Sequence, residues 1–401
     1  MKSLRRRGGQ SGRRVLIIVQ NLPVPFDRRV WLEACALRDA GFQVSVVCPK
    51  APGDPSFQEL EGIRIRKYDP PPPTSGALSY AWEFAYCWVR TLVLVLRAAA
   101  REGFDAIQAC NPPDTFWALA APFKPFGKRF VFDQHDLCPE VYVSRFPSGS
   151  RVFRRGLMLL ERATYALADH VVATNESYRE TAIRRGKVPA RRVTVVRTGP
   201  NPERLRKGPP VASWRRGKRY LCAYLGVMGP QDGVDLALHA AAAIVRWGRD
   251  DVHFVFMGSG DSYDELVSLA DQLGITDRVT FTGRIPDETV FEILSTADVG
   301  LSPDPLNPLN DVSTMNKTME YMAFELPVVA FDLKETRVSA GPAAVYAQPN
   351  DTDAFARAIL ELLDDQEERA EMGRLGRERV ERELAWRHQA PRYVGVYEAL
   401  L

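Results

Sequence analysis

The sequence has no apolar run long enough to cross a bilayer, no Cys-x-x-Cys pair, and only five histidines. Its formal net charge of +3 over 401 residues is too small to argue for a nucleic-acid partner. The six cysteines (Cys35, Cys48, Cys87, Cys110, Cys138 and Cys222) are scattered, several within apolar runs, and read as buried free thiols in a reducing compartment. The one Asp-x-Asp, Asp351-Thr352-Asp353, opens an apolar helix and reads as a cap, so no metal site is expected. No Gly-x-x-x-x-Gly-Lys loop occurs, and no Gly-x-Gly-x-x-Gly follows a strand, which excludes a kinase-like NTPase and a dehydrogenase. The start, 1–14, is basic and has no signal-peptide cleavage pattern. It reads as a disordered arm on a cytoplasmic protein.

What is present is the composition of a globular protein, 45% apolar and 26% charged, with length for two domains. Val15 to Val19 is a continuous apolar run, as in a strand buried on both faces. A loop, a helix from Trp31 to Ala40 and a strand from Val44 to Cys48 follow. The same alternation restarts at Arg219. Pro200, Pro202, Gly208, Pro209 and Pro210 mark a linker, so the sequence predicts an α/β fold of two similar domains, 15–207 and 208–384, with a final helix 385–401.

The stretch Ser313 to Ala330 predicts a helix from Asn316 to Phe324, a stop at Pro327 and a buried strand, Val328-Val329-Ala330. Lys317 and Glu320 share one face of its first turns, where the helix dipole and unpaired N–H groups suit a phosphate. Tyr224-Leu225-Gly226-Val227-Met228-Gly229-Pro230-Gln231-Asp232-Gly233 is a glycine-rich loop leading into a helix, a second place where backbone amides can meet phosphate. His135 is the histidine set among polar residues at a strand's C-terminal end, in Asp133-Gln134-His135-Asp136.

Asn316 to Ala323 with Leu326 to Ala330 resembles the nucleotide-binding signature of the large retaining family-4 glycosyltransferases, and the glycine loop resembles their phosphate loop. The resemblance covers nearly the whole chain. It implies the GT-B fold, in which two Rossmann-like domains face each other across a cleft, with the first on the acceptor side and the last helix packing back toward it. It further implies transfer of a sugar from a nucleotide-diphosphate sugar with retention at the anomeric carbon, and without a metal, unlike the metal-dependent GT-A type. No cofactor is needed beyond the donor.

In that frame Gly226, Gly229, Gly233, Arg284, Asn316, Lys317 and Glu320 form the donor site. Lys317 takes the phosphates and Glu320 the ribose, while His135 acts on the transition state, so His135, Lys317 and Glu320 are the catalytic set. Two departures stand out. Val227 and Asp232 occupy places where many members carry Arg and Lys, and Val312 falls where the first of two paired glutamates is usual. Asp27, Arg28 and Arg29 are candidates for an anionic acceptor such as a lipid diphosphate, an ordinary helix-start charge cluster being the equal alternative. Acceptors of this kind, a glycan or a lipid-linked one, belong to surface polysaccharide or glycolipid synthesis. The apolar, aromatic-rich stretch Leu78 to Leu96, the cluster around Lys124 and Lys128, and the basic segment Arg145 to Arg219 add the expectation of docking on the inner membrane surface. The rival readings are a sugar-nucleotide epimerase of the same fold and a degenerate nucleotide-sugar-binding partner.

Overall fold

A computed structural model of the chain describes residues 13–72, 77–146 and 148–401, with the side chains of 77–81 also left aside. The arm at 1–12 lies outside the described residues. The chain divides into two compact units. The first comprises residues up to Cys138, Arg155–Val196 and Ala390–Leu401, and the second comprises Pro139–Arg154 and Arg197–Gln389. The change at Val196 precedes the proline-rich segment in which the sequence places its boundary. The short segments Pro139–Arg154 and Ala390–Leu401 each belong to a unit other than their sequence neighbours'.

The first unit is built on strands β1 (Arg14–Ile18), β2 (Gln43–Pro49), β3 (Phe57–Leu60), β4 (Ile63–Tyr68), β5 (Ala106–Cys110), β6 (Arg129–Gln134), β7 (His170–Ala173) and β8 (Val193–Val195). They run in the order β3-β4-β2-β1-β5-β6-β7-β8, parallel throughout except that β3 pairs antiparallel with β4. The chain order reverses between β1 and β5, so the loops after these two strands open at the switch point where ligands bind in such sheets. The apolar run of β1 is buried on both faces, as its composition requires.

The second unit holds β9 (Tyr220–Leu225), β10 (Val252–Met257), β11 (Val279–Gly283), β12 (Val299–Ser302), β13 (Val328–Phe331) and β14 (Ala344–Ala347), all parallel, in the order β11-β10-β9-β12-β13-β14. This is the strand order of a doubly wound sheet with its switch point between β9 and β12. Successive residues of β9 point to opposite faces. Tyr220, Cys222 and Tyr224 enter one core cluster with Phe254 and Phe256, while Leu221 and Ala223 enter the other with Val255, Met257 and Met319. The helix Val234–Arg246 covers the first face with small side chains, Ala237, Ala240, Ala241 and Ala243, which let its backbone lie close to the sheet. The helix Asn316–Ala323 covers the other, burying Met319, Tyr321 and Met322.

Among the described residues, no helix is long and apolar enough to cross a membrane. The helix Ala77–Arg101 buries one stripe, Cys87, Thr91, Val95 and Ala98. It leaves another apolar stripe on the surface, with Trp82, Val89 and Leu96 each about half exposed (51%, 53% and 51%).

Candidate functional site

Within the second unit the loops after β9, β10, β11 and β12 lie against one another. The turn at Gly258 donates its amide to the Gly283 carbonyl at 3.0 Å, and a Cβ at Gly258 would overlap the Gly226 carbonyl oxygen. Gly233, at φ 68°, starts the helix Val234–Arg246 in the left-handed region. The loop 226–233 satisfies several of its own amides. Gly226 N donates to the Met257 carbonyl, Met228 N to the Ser259 carbonyl, and Gly229 N to the Asp232 carboxylate at 2.9 Å. Val227 faces solvent and Tyr224 Oη donates to its carbonyl at 2.6 Å.

Lys317 reaches this loop from the first turn of its helix. Its side chain is 10% exposed, its Cε lies 3.6 Å from where a Cβ of Gly226 would be, and its ammonium sits 4.9 Å from the centre of the Tyr224 ring. It donates to Asp304 Oδ1 at 2.5 Å, and Ser302 Oγ donates to Asp304 Oδ2 at 2.7 Å. Burial works to lower the Lys317 pKa, but the Asp304 and Asp232 carboxylates outweigh it and hold the lysine charged.

Asp304 is a site residue that no motif announces. It is buried just beyond β12 and on the β12 side of the switch point. The available signal is its place, a lone acid between Pro303 and Pro305 at the C-terminal end of a buried strand. Asn310 is another such residue, its amide donating to the Gln231 carbonyl at 2.9 Å and tying the β12 loop to the glycine loop. Glu320 is half-buried one turn beyond Lys317, Asn316 is exposed at the helix start, and Arg284 is exposed directly after β11. Asp311, beside Val312, accepts from Lys334 N at 2.9 Å, at the start of the helix Lys334–Ala340.

In the first unit His135 follows β6 and is 16% exposed. Its backbone N donates to Asn111 Oδ1 at 2.7 Å, fixing the loop after β6 to the loop after β5. Nε2 lies 2.5 Å from Asp133 Oδ2. Arg29 Nε reaches the same ring nitrogen at 3.2 Å, so Nε2 is held by both members of the Arg29–Asp133 pair. Burial would push the Asp133 pKa up, but Arg29 and His135 more than offset it and hold Asp133 far below the usual carboxylate range. Behind Asp133, Gln108 Nε2 donates to it at 3.2 Å and to Glu33 at 2.7 Å, and Tyr393 and Tyr397 from the last helix donate to Gln108 Oε1.

The expectation for Asp27 and Arg29 on the acceptor side needs correction. Asp27 is buried and caps the helix Arg28–Asp39, accepting from Val30 N at 3.1 Å. Arg29 points inward. Its Nη2 lies 2.7 Å from Asp133 and 3.1 Å from Glu33, and its Nη1 donates to the Val196 carbonyl at 2.9 Å. The fork is spent on internal acids, and only Arg28 of the three is exposed. Lys124 and Lys128 are likewise paired, with Asp169 at 2.5 Å and Asp105 at 3.3 Å. In the basic segment, Arg185, Arg204 and Arg215 pair with Glu161, Asp287 and Asp298.

Glu33, Cys110, Asp133 and His135 place potential metal ligands within 4.8 Å of one another. The donor set does not fit a cation. The Arg29 guanidinium already supplies the positive charge, while burial raises the Glu33 carboxyl and the Cys110 thiol well above their ordinary values, which disfavours the ionised forms a metal needs.

Residues 27–204 match the family described as Glycosyltransferase Family 4, and residues 219–365 match Glycosyl transferases group 1, together most of the chain. The chain belongs to the family-4 glycosyltransferases. Among similar proteins, this glycosyltransferase chain is 31% identical over 156 residues to the alpha-D-kanosaminyltransferase of Streptomyces kanamyceticus, covering 38% of the chain and 39% of that relative. It is 27% identical over 292 residues to the D-inositol 3-phosphate glycosyltransferase of Salinispora tropica, covering 68% and 59% respectively. The aligned parts thus span less than two thirds of either relative. Sucrose-phosphate synthase from Thermosynechococcus elongatus has the same fold, with TM-score 0.78, 21% identity and coverage of 97% of this chain and 99% of that one. So does HepE of Anabaena, solved in complex with UDP-glucose, with TM-score 0.72, 15% identity and coverage of 96% and 99%. The fold of this family-4 glycosyltransferase is therefore the two-domain GT-B type expected from its signature.

Proposed function

We propose that the protein moves a sugar from a nucleotide-diphosphate sugar to a glycan or lipid-linked acceptor, with retention at the anomeric carbon and without a metal, in surface polysaccharide or glycolipid synthesis. The observation that carries this reading is Lys317. Its ammonium is held beside the glycine loop, at the sheet's switch point and on the first turn of a helix, where a diphosphate finds a cation and backbone amides together. In this reading Lys317 binds the phosphates, with Arg284 and Asn316 at the rim, and Glu320 takes the ribose hydroxyls. Gly226, Gly229 and Gly233 let the backbone approach.

His135 is assigned to the transition state at the donor sugar, where a ring nitrogen shares a hydrogen bond with a sugar hydroxyl. No protein nucleophile is needed, because the leaving diphosphate can take the acceptor's proton on the same face, and the protein's part is positioning and charge stabilisation. The relatives' names are those of transferases, which favours transfer over the epimerase or non-catalytic alternatives.

For the acceptor side, the exposed stripe Trp82, Val89, Val93 and Leu96 supports peripheral docking on the inner membrane surface. With Lys124, Lys128 and several arginines already paired, apolar insertion carries more of this docking than basic attraction does. Arg28, exposed at the start of the helix Arg28–Asp39, is the residue assigned here to an anionic acceptor.

The test is turnover of sugar-labelled nucleotide donors in the presence of membrane lipid extract and, separately, soluble glycans. Label appearing in an acceptor supports the reading. An epimerised nucleotide sugar, or binding without turnover of any donor, contradicts it. Flotation with vesicles tests docking, with Trp82→Ser/Leu96→Ser expected to abolish it.

A further inference from the structure

The Asp232 carboxylate does something in the glycine loop that no lysine at that place could do. Its Oδ2 accepts from Gly229 N at 2.9 Å and from Gln231 Nε2 at 3.1 Å, and the Asp232 amide returns a bond to the Gly229 carbonyl at 3.0 Å. An anion of the chain's own thus occupies an amide of the loop that, in the donor-site reading, serves the phosphates. The same carboxylate acts on Lys317, the cation that reading assigns to the diphosphate.

We propose that Asp232 is a built-in competitor of the donor diphosphate, and that donor binding displaces its carboxylate from the Gly229 amide and loads it with a proton. This rests on the donor-site reading above.

The charge balance supports the step. The Asp304 and Asp232 carboxyl groups both act on the one Lys317 ammonium before any donor arrives, and a diphosphate would add further negative charge. The groups acting on Asp232 come from several elements. Lys317 lies on the helix Asn316–Ala323, Asp304 lies beyond β12, Arg145 ends the helix Cys138–Arg145, and Gly229 belongs to its own loop. Burial is the largest effect and raises the Asp232 pKa. Lys317, the Gly229 amide and Arg145 lower it, Asp304 raises it, and the net direction is upward. A carboxyl raised in the free protein, and raised further by an arriving diphosphate, takes up a proton on binding. The sign follows from linkage: donor affinity increases as pH falls, by up to about tenfold per pH unit in the window between the free and bound pKa values.

The experiment titrates UDP-glucose and GDP-mannose, whose diesterified phosphates do not themselves titrate near neutrality, into the full-length protein between pH 6 and pH 8.5. It is repeated in two buffers of different ionisation enthalpy to count protons. The wild-type protein is expected to bind at least one probe more tightly at low pH and to take up a proton. Asp232→Asn, which keeps the side chain's size and an acceptor for Gly229, is expected to bind about tenfold more tightly than wild type at high pH and to lose most of the pH dependence. Asp232→Lys is the second variant and is expected to bind more tightly than wild type across the range. Proton-neutral, pH-independent binding by the wild type needs no variant to overturn the proposal, while leaving the donor-site reading intact. So does an unchanged pH slope in a folded Asp232→Asn protein. Absence of binding by wild type and both variants at every pH, to any nucleotide sugar tried, overturns the donor-site reading and this inference with it.

Discussion

Gly233 and Pro303 meet so closely that the Pro303 carbonyl oxygen occupies the place a Cβ at position 233 would need. The contact joins the loop after β9 to the loop after β12 at the switch point, so the glycine loop and the segment leading to Lys317 hold one another in place. Gly233 also sits at φ 68°, where an L side chain is strained. Gly233→Ala is therefore expected to destabilise the second unit by about 2 kcal/mol or more. It should also weaken nucleotide-sugar binding beyond what the stability loss explains. Thermal melts and donor titration check both, and a variant of wild-type stability would show that the two loops are not locked.

Lys317 and Asp304 form a pair that is almost wholly out of solvent. Removing Lys317 leaves two carboxylates without their cation, whereas removing Asp304 leaves the lysine with Asp232, so Lys317→Met is expected to cost roughly 3–5 kcal/mol and Asp304→Asn less. The double variant, which removes both charges, is expected to recover a large part of that loss. Chemical denaturation of the four proteins gives the coupling directly. Additive losses would mean that the pair contributes no interaction of its own.

His135 is expected to act on rate more than on donor affinity. His135→Ala should lower kcat with little change in nucleotide-sugar Kd, because the proposed nucleotide contacts all come from the second unit's loops. Asp133→Asn should reproduce much of that loss by removing the carboxylate that holds Nε2 of the ring. The same change leaves the Arg29 guanidinium without its principal partner, so a stability loss accompanies it. Steady-state kinetics with a stability control separates the two. A His135→Ala enzyme with unchanged kcat would remove the residue from the mechanism.

Two histidines make stability depend on pH. His170 pairs with Thr194 across β7 and β8, and His253 with Thr280 across β10 and β11, each at 2.9 Å. Burial, with nearby arginines, pushes both down to about 4. The folded state therefore favours the neutral rings. Their contribution is fully present above the unfolded value of about 6.5 and is lost as pH falls from there toward 4, each histidine costing up to about 1.4 kcal/mol for every pH unit crossed. The melting temperature should drop across that window, and His253→Gln should flatten part of the drop. An equally steep acid limb in that variant would assign it to other groups.

The sequence made the sheets and the glycine loop legible because each rests on local pattern. Continuous apolar runs give strands covered on both faces, and a glycine-to-helix turn declares itself within about ten residues. The helix Asn316–Ala323 with β13 is of the same kind. What depends on long-range packing escaped. The pair of β3 and β4 was hidden because Arg64, Arg66 and Lys67 give β4 the look of a solvated edge. Arg66 and Lys67 are in fact buried and paired with Glu102 and Asp54. Asp304 carries no local pattern, and its role appears only once the helix bearing Lys317 is laid beside it. Adjacency to Arg28 gives Arg29 the look of a surface cation. The spacing to Glu33, one helical turn on, was the available sign that it faces inward. The assignment of residues 139–154 and 390–401 to units other than their neighbours' leaves no mark in composition at all.

The central claim is that the second unit binds a nucleotide-diphosphate sugar through Lys317 and Glu320. The most direct measurement is calorimetric titration of a panel of nucleotide sugars into the wild-type protein, then of the best binder into Lys317→Met and Glu320→Ala. The account predicts that one nucleotide sugar binds the wild type, and that each variant, still folded, loses about 1–3 kcal/mol of that affinity. Affinity unchanged in both variants would contradict it.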